Sequence, residues 1–360
     1  MKCNDLSLNL ALGLMLAGLV AGSAFAAPPG SEYVQTDLVS DGAVPANTID
    51  PNLKNPWGVA FFPGLSPFWV ADNNAGVSTL YDGLGVPFAA LPLVDIPTPA
   101  ASIGGTPTGL VANIFFAGFP VPNTGGQPSF FIFDTEDGTI VGWTLTSGTQ
   151  AVIAVDNSAA GAVYKGLAIG INGQGKFLYA TNFHSGQVEV YDDNFEPATL
   201  SGSFTDPKLP KGYAPFGIQN INGSLYVTYA VQDAAKHDDV SGPAHGIVDI
   251  FDTNGNLIRR FLRHGHLNSP WGVAMAPASF RRFANDILVG NFGDGRIDAY
   301  DPVNGAFAGN IRDTANRPIV IDGLWTLTFG GALGSSPSTL YFTAGLNDEQ
   351  DGLFGSIAPQ

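Results

Sequence analysis

Short apolar runs recur along the chain at a regular interval. Six of them share one kind of opening: PWGVAFF at 56, PTGLVAN at 107, YKGLAIG at 164, PFGIQNI at 215, PWGVAMA at 270 and LWTLTFG at 324. Their starts lie 51, 57, 51, 55 and 54 residues apart. A second apolar run follows each opening and ends at Asp72, Asp134, Asn182, Tyr229, Asn291 or Ala344. In four units an aromatic stands nine residues beyond that end, at Tyr81, Trp143, Tyr191 and Tyr300. Runs this short, bounded by turn residues, read as strands, and DGLG, DTNGN and DPVNG carry hairpin punctuation. Each unit therefore predicts four short strands.

A period near 50 residues built from four strands is a propeller blade, and six lie inside the usual range of about 4–8. Units one to five end in a fourth run, whereas unit six stops after GLFGSI. The stretch EYVQTDLVSD, residues 32–41, precedes unit one with no partners of its own. Pairing it onto unit six leaves no long open edge. The expectation is an all-β, six-bladed β-propeller of four-stranded blades, its last blade closed by the N-terminal strand. It forms a single domain over residues 32–357.

The first residues follow another pattern. Lys2 precedes an apolar run from Leu10 to Gly22, and Ala24-Phe25-Ala26 follows it. That layout predicts a cleaved signal peptide over residues 1–26 and an exported protein, periplasmic or extracellular. The run is short of the roughly 20 residues a membrane helix needs, and no later stretch approaches that length, so no transmembrane segment is expected in the mature chain. Cys3 is the only cysteine and leaves with the peptide, which excludes thiol chemistry and disulfides from the mature protein. Thirty-one acidic against fifteen basic residues give a net charge of −16, which argues against nucleic acid and anionic membranes as partners.

The phrases NPWGVAF…FWVADNNAGVSTLYDG, LYATNFHSGQVEVYD and SPWGVAMAP resemble a family of uncharacterised bacterial exported propellers, many of them carrying PEP-CTERM sorting tails. The individual units also look like NHL-type repeats. The resemblance covers the mature chain and implies the propeller fold. Gln360 ends the sequence without that family's Pro-Glu-Pro, apolar and Arg-rich tail, which implies release rather than anchoring. The wider NHL-like group holds scaffolds, ligand binders, lyases and lactonases, and fold kinship does not choose among them.

Chain direction places candidate chemistry. In a four-stranded blade the loop opening the first strand and the loop after the second share one face. The blade-opening residues Trp57, Thr108, Lys165, Phe216, Trp271 and Trp325 and the strand-end residues Asp72, Asp134, Asn182, Tyr229, Asn291 and Ala344 then gather there near the axis. The candidate ligand-binding set is Trp57, Asp72, Asp134, Lys165, Asn182, Tyr229, Trp271, Asn291 and Trp325, aromatics and polar groups of the kind that line concave sites. The competing reading packs the tryptophans between blades and uses Asp and Asn to cap their own turns.

All five histidines fall on that face in the sector of blades three to five: His184, His237, His245, His264 and His266. Imidazole is a common metal ligand and titrates near neutral pH, so these are candidate metal ligands or an acid/base pair. Exposed loop histidines without a role are the alternative. Asp348, Glu349 and Asp351 form an acidic loop in blade six. No motif requires a cofactor; a divalent metal, zinc or calcium, is the one these groups would take. No G-x-S-x-G elbow, P-loop or H-E-x-x-H occurs. The expected role is a monomeric module that binds a small molecule, glycan or protein. The alternative is a metal- or histidine-dependent lyase or lactonase-type enzyme with its site on the same face.

Overall fold

The computed structural model describes residues 32–360, so the expected signal peptide lies outside the described residues. The chain begins with β1 (Tyr33–Ser40) and β2 (Thr48–Ile49). Blade one holds β3 (Pro56–Ala60), β4 (Phe68–Asp72), β5 (Val77–Tyr81) and β6 (Leu93–Asp95). Blade two holds β7 (Pro107–Ala112), β8 (Phe131–Thr135), β9 (Thr139–Trp143) and β10 (Val152–Asp156). Blade three has β11 (Tyr164–Asn172), β12 (Gly175–Asn182) and β13 (Gln187–Asp192). Blade four has β14 (Tyr213–Ile221), β15 (Ser224–Val231), β16 (Ile247–Asp252) and β17 (Leu257–Arg263). Blade five has β18 (Pro270–Met275), β19 (Ile287–Asn291), β20 (Ile297–Tyr300) and β21 (Phe307–Asn310). Blade six has β22 (Leu324–Phe329), β23 (Leu340–Gly345) and β24 (Asp351–Pro359).

Six antiparallel sheets follow one another, and the innermost strands touch in the closed order β3, β7, β11, β14, β18, β22 and back to β3. This is the expected six-bladed propeller. Its closure is also as expected: β1 pairs antiparallel with β24, from Tyr33 opposite Pro359 to Ser40 opposite Leu353. The short β2 adds a fifth strand in parallel to β1.

Every innermost strand carries a register shift near its start, between Pro56 and Val59, Pro107 and Leu110, Pro215 and Ile218, and Pro270 and Val273 among others. Pro56, Pro107 and Pro270 stand first in their strands, where no ladder donor is lost, and the bulge that follows re-aims the next side chain. Gly58 and Gly272 occupy the bulge where the neighbouring inner strand comes closest. A Cβ at Gly58 would lie 2.5 Å from the Thr108 carbonyl oxygen, and one at Gly272 would lie 2.5 Å from that of Trp325. The repeated Pro-Trp-Gly phrase is the sequence of this bulge in blades one and five; blades two, three and four keep its glycine but not its tryptophan, and blade six has Leu324-Trp325-Thr326.

Blade three departs from the four-stranded expectation. After Ala198 donates to Val190, the chain leaves β13, and Gly202 and Phe204 donate instead to Asn254 and Gly255 in the hairpin of blade four. Phe204 is buried there, 5.3 Å from the Phe251 ring. Burying that aromatic between blades outweighs completing the outer ladder.

Candidate functional site

The bulges aim large aromatics at the axis. Trp57 stacks on Trp325 with ring centroids 3.4 Å apart, and Trp271 meets both edge-on at 5.9 Å. Phe292 stacks on the other side of Trp325 at 4.1 Å, and Phe216 adjoins Trp57 and Trp325. Trp57 and Trp325 are 2% and 1% exposed. The three tryptophans form a plug across the upper end of the axis, taking "upper" as the face where innermost strands begin. Trp271 donates its indole N–H to the Lys165 carbonyl at 2.8 Å, and Trp325 donates to Asn55 Oδ1 at 3.0 Å. The Trp57 indole nitrogen is buried without a partner.

Above the plug stands Lys165, itself 1% exposed. Its ammonium lies 5.2 Å from the Trp57 ring centroid, a cation–π distance. It donates to Glu136, from the β8–β9 turn, and to Asp238 Oδ1 at 3.3 Å, from the long β15–β16 loop. Burial pulls the Lys165 pKa down, but Glu136 and Asp238 outweigh it and hold the group above its ordinary value. Asn73 steadies Glu136 through a 2.8 Å bond. Glu349 arrives from blade six and accepts from Asn55 Nδ2 at 2.7 Å. Burial, with Glu136 nearby, raises the Glu349 carboxyl to about 7. Its turn is built from left-handed residues, Asn347, Asp348 and Glu349, with φ of 53°, 52° and 64°. Non-glycine residues in that region store strain and cluster at functional sites.

Of the nine expected binding residues, the structure brings Trp57, Lys165, Trp271 and Trp325 together. The other five are built into their own blades. Asp72, buried completely, accepts from Thr79 N at 2.8 Å. Asp134 accepts from Thr108 Oγ1 at 2.9 Å and from the Gly109 amide at 2.6 Å, and burial pushes it up to about 7. Asn182 receives Ser185 N and donates to Glu189. Asn291 receives Asn268 N and donates to Asp298. Tyr229 is 2% exposed inside the apolar layer between blades three and four. Only Asn182 caps its own turn, through Ser185 N; Asp72, Asp134 and Asn291 tie together separate segments of their blades, and Tyr229 packs in the core.

The histidines do not converge. Only His237 joins the mouth, with Nδ1 2.8 Å from Asp238. His245 faces the Val240 carbonyl and His264 the Ala244 carbonyl, each at 2.9 Å. His266 stacks on Phe307, and the backbone carbonyl of His184 sits beside Gln232. Among the described residues Glu136, His237 and Asp238 place ligand atoms within 4.8 Å of one another. The residue types suit a divalent cation, but Lys165 already bonds both carboxylates, so an ion would have to displace its ammonium. Glu136, Asp238 and Asn55 were not singled out from the sequence. The available signal was an acidic residue in the second-to-third-strand loops of blades two, four and six, although blade five carries one there too, Asp294.

Below the plug the axis narrows to a neck of about 30 Å³ and then opens downward into a cavity of about 530 Å³. Val59, Leu110, Leu167, Ile169 and Gln219 line it, and no charged residue does.

No family model matches the chain. It is 30% identical over 333 residues to uncharacterized protein R648 of Acanthamoeba polyphaga mimivirus, covering 89% of this chain and 78% of that protein. The chain belongs to the same family as this mimivirus protein. Uncharacterized protein L690 of the same virus is 32% identical over 335 residues, covering 89% of this chain and 84% of its own. Among solved structures, a streptogramin B lyase matches 93% of this chain and 100% of its own, with a TM-score of 0.54 at 11% identity. A catalytically inactive virginiamycin B lyase from Staphylococcus aureus with quinupristin matches 91% and 99%, with a TM-score of 0.52 at 12% identity. The soluble aldose sugar dehydrogenase of Escherichia coli matches 91% and 100%, at 0.51 and 12%. At such identities these likenesses concern the fold.

Proposed function

We propose that the chain is an exported β-propeller that binds a polar ligand at the carboxylate-lined upper mouth of its axis. The observation that carries this reading is Lys165, a buried charged group paired with carboxylates from two different blades, with Glu349 of a third blade held nearby on Asn55. Placing an ammonium there disfavours folding unless its partners hold it, and such costly arrangements concentrate at functional sites. Glu136, Asp238 and Glu349 outnumber the one lysine, so the mouth suits a ligand bearing an amine or several hydroxyls. Residues 1–26 act as the signal peptide, residues 32–357 as one domain, and the product is a monomer in the periplasm or outside the cell. Among the described residues no helix is long and apolar enough to cross a membrane.

A second reading rests on Glu349 and His237. A carboxyl raised to about 7 is acid/base-capable at neutral pH, and the His237 imidazole, hydrogen-bonded to Asp238, stands at the same mouth. They would serve the lyase or hydrolase alternative.

A thermal-shift screen of the mature protein against sugars, primary amines, calcium and zinc separates these readings from no function at this site. At least one compound should raise the melting temperature of wild type and not of the Glu136→Gln/Glu349→Gln double variant. Equal shifts in both proteins, or none in either, would refute the assignment.

A further inference from the structure

The lower face of blades one and two has chemistry that the upper mouth does not use. The loops over residues 61–67, 82–92, 113–130 and 144–151 contain a single charged residue, Asp82, which accepts from Leu84 N and Val86 N within its own turn and does not line the cleft between them. Chain direction brings all four to the same end, because they join first to second and third to fourth strands. Leu65 and Leu145 are 72% and 71% exposed there, and Phe116 is 54% exposed. Apolar side chains this large usually leave water or mark a binding surface.

Between them a cleft of about 390 Å³ opens, inside the roughly 300–1,000 Å³ range of small-molecule sites. Its walls are aromatic. Trp69 stacks on Phe131 at 4.1 Å and lies 4.6 Å from Trp143, while Phe62 stacks on Phe116 at 4.9 Å. Few lining side chains offer a polar atom, and most of those are engaged. The Ser66 hydroxyl accepts from Phe62 N and donates to the Pro67 carbonyl. Trp143 donates to the Gly148 carbonyl at 2.8 Å. The Trp69 indole N–H remains as the one lining side-chain donor outside these bonds.

We propose that this cleft is a second binding site, for a neutral ring-containing lipophile with at most one hydrogen-bond acceptor. A charged ligand would meet no counter-charge and would be desolvated without return. A flat ring can meet the aromatic walls in offset or edge-on contact. The proposal does not depend on the upper mouth.

N-phenyl-1-naphthylamine, neutral and fluorescent in apolar surroundings, is the probe. Wild type should bind it saturably at one molecule per chain, with quenching of tryptophan emission. Leu65→Glu/Leu145→Glu should weaken binding at least tenfold, since both positions are exposed and the fold should stand, as circular dichroism checks. Val303→Ser, exposed on the same face in blade five, should leave it unchanged. Non-saturable fluorescence, or equal affinity in the double variant, would overturn the proposal. So would a wild-type dimer that the double variant converts to monomer, because the cleft would then be covered by a second copy.

Discussion

At the upper end of the axis three tryptophans close the ring, and one buried lysine holds carboxylates from blades two and four above them while blade six adds a third. At the lower end the same innermost strands diverge into an open space without a charged lining residue, flanked by loops of exposed leucine and phenylalanine. The two ends are built from one set of strands and differ only in which residues the turns carry. Upper turns close on Asp, Asn and Glu, which bond backbone amides and one another. Lower loops in blades one and two are apolar and carry one charge, Asp82. One scaffold thus presents two surfaces of opposite chemistry, separated by the tryptophan plug.

Removing the plug should merge the two ends, and that change should have the largest effect. Trp325→Ala deletes a ring packed against Trp57, Trp271 and Phe292, with an expected loss of about 3–5 kcal/mol in urea unfolding. The variant should also let solvent quenchers reach Trp57, which acrylamide quenching measures.

Lys165→Met tests the upper end alone. Asp238 is mostly exposed, but Glu136 is not, so the expected cost is about 3 kcal/mol, near the lower bound for breaking a buried pair. Because the folded pKa of Lys165 is raised, its contribution is present throughout neutral pH and is lost only as pH rises through that value. A variant as stable as wild type from pH 6 to 8 would remove the ion cluster from the account.

The pH profile supplies the smallest effect. Glu349 and Asp134, each about 7 when folded because of burial, bind protons more tightly folded than unfolded. Their contribution is therefore complete only below the ordinary values, 4.5 for Glu349 and 3.8 for Asp134, and declines as pH rises toward and through 7. Glu349→Gln should flatten that decline between pH 5 and 8 by on the order of 1 kcal/mol, measured by urea midpoints. An unchanged slope would place Glu349 in ordinary solvent.

The ring was legible in the sequence because its period is written in strand openings. Pro56-Trp57-Gly58 and Pro270-Trp271-Gly272 mark the same bulge, and the unpartnered 32–41 stretch reveals the closure. The fourth strand of blade three was misread because TLSGSFTD has a strand-like composition, while the burial of Phe204 against blade four decides its path. Within the site, Lys165 and the tryptophans were visible as blade openings. The carboxylates around them were harder to see, since each comes from a different loop and only the ring closure makes them neighbours. The histidines misled for the opposite reason: proximity in sequence put them in one sector, but local carbonyls hold His245 and His264. The apolar cleft was invisible, because exposed leucines and buried ones look alike in a sequence.

The central claim is that polar ligands engage the upper end. Hydrogen–deuterium exchange of the protein with a hit from the thermal-shift screen tests it most directly. Protection should appear in the loops at 135–138, 233–239 and 346–350, while 113–130 and 144–151 exchange as in the free protein. Protection confined to the lower loops, with the Lys165 neighbourhood unchanged, would contradict it.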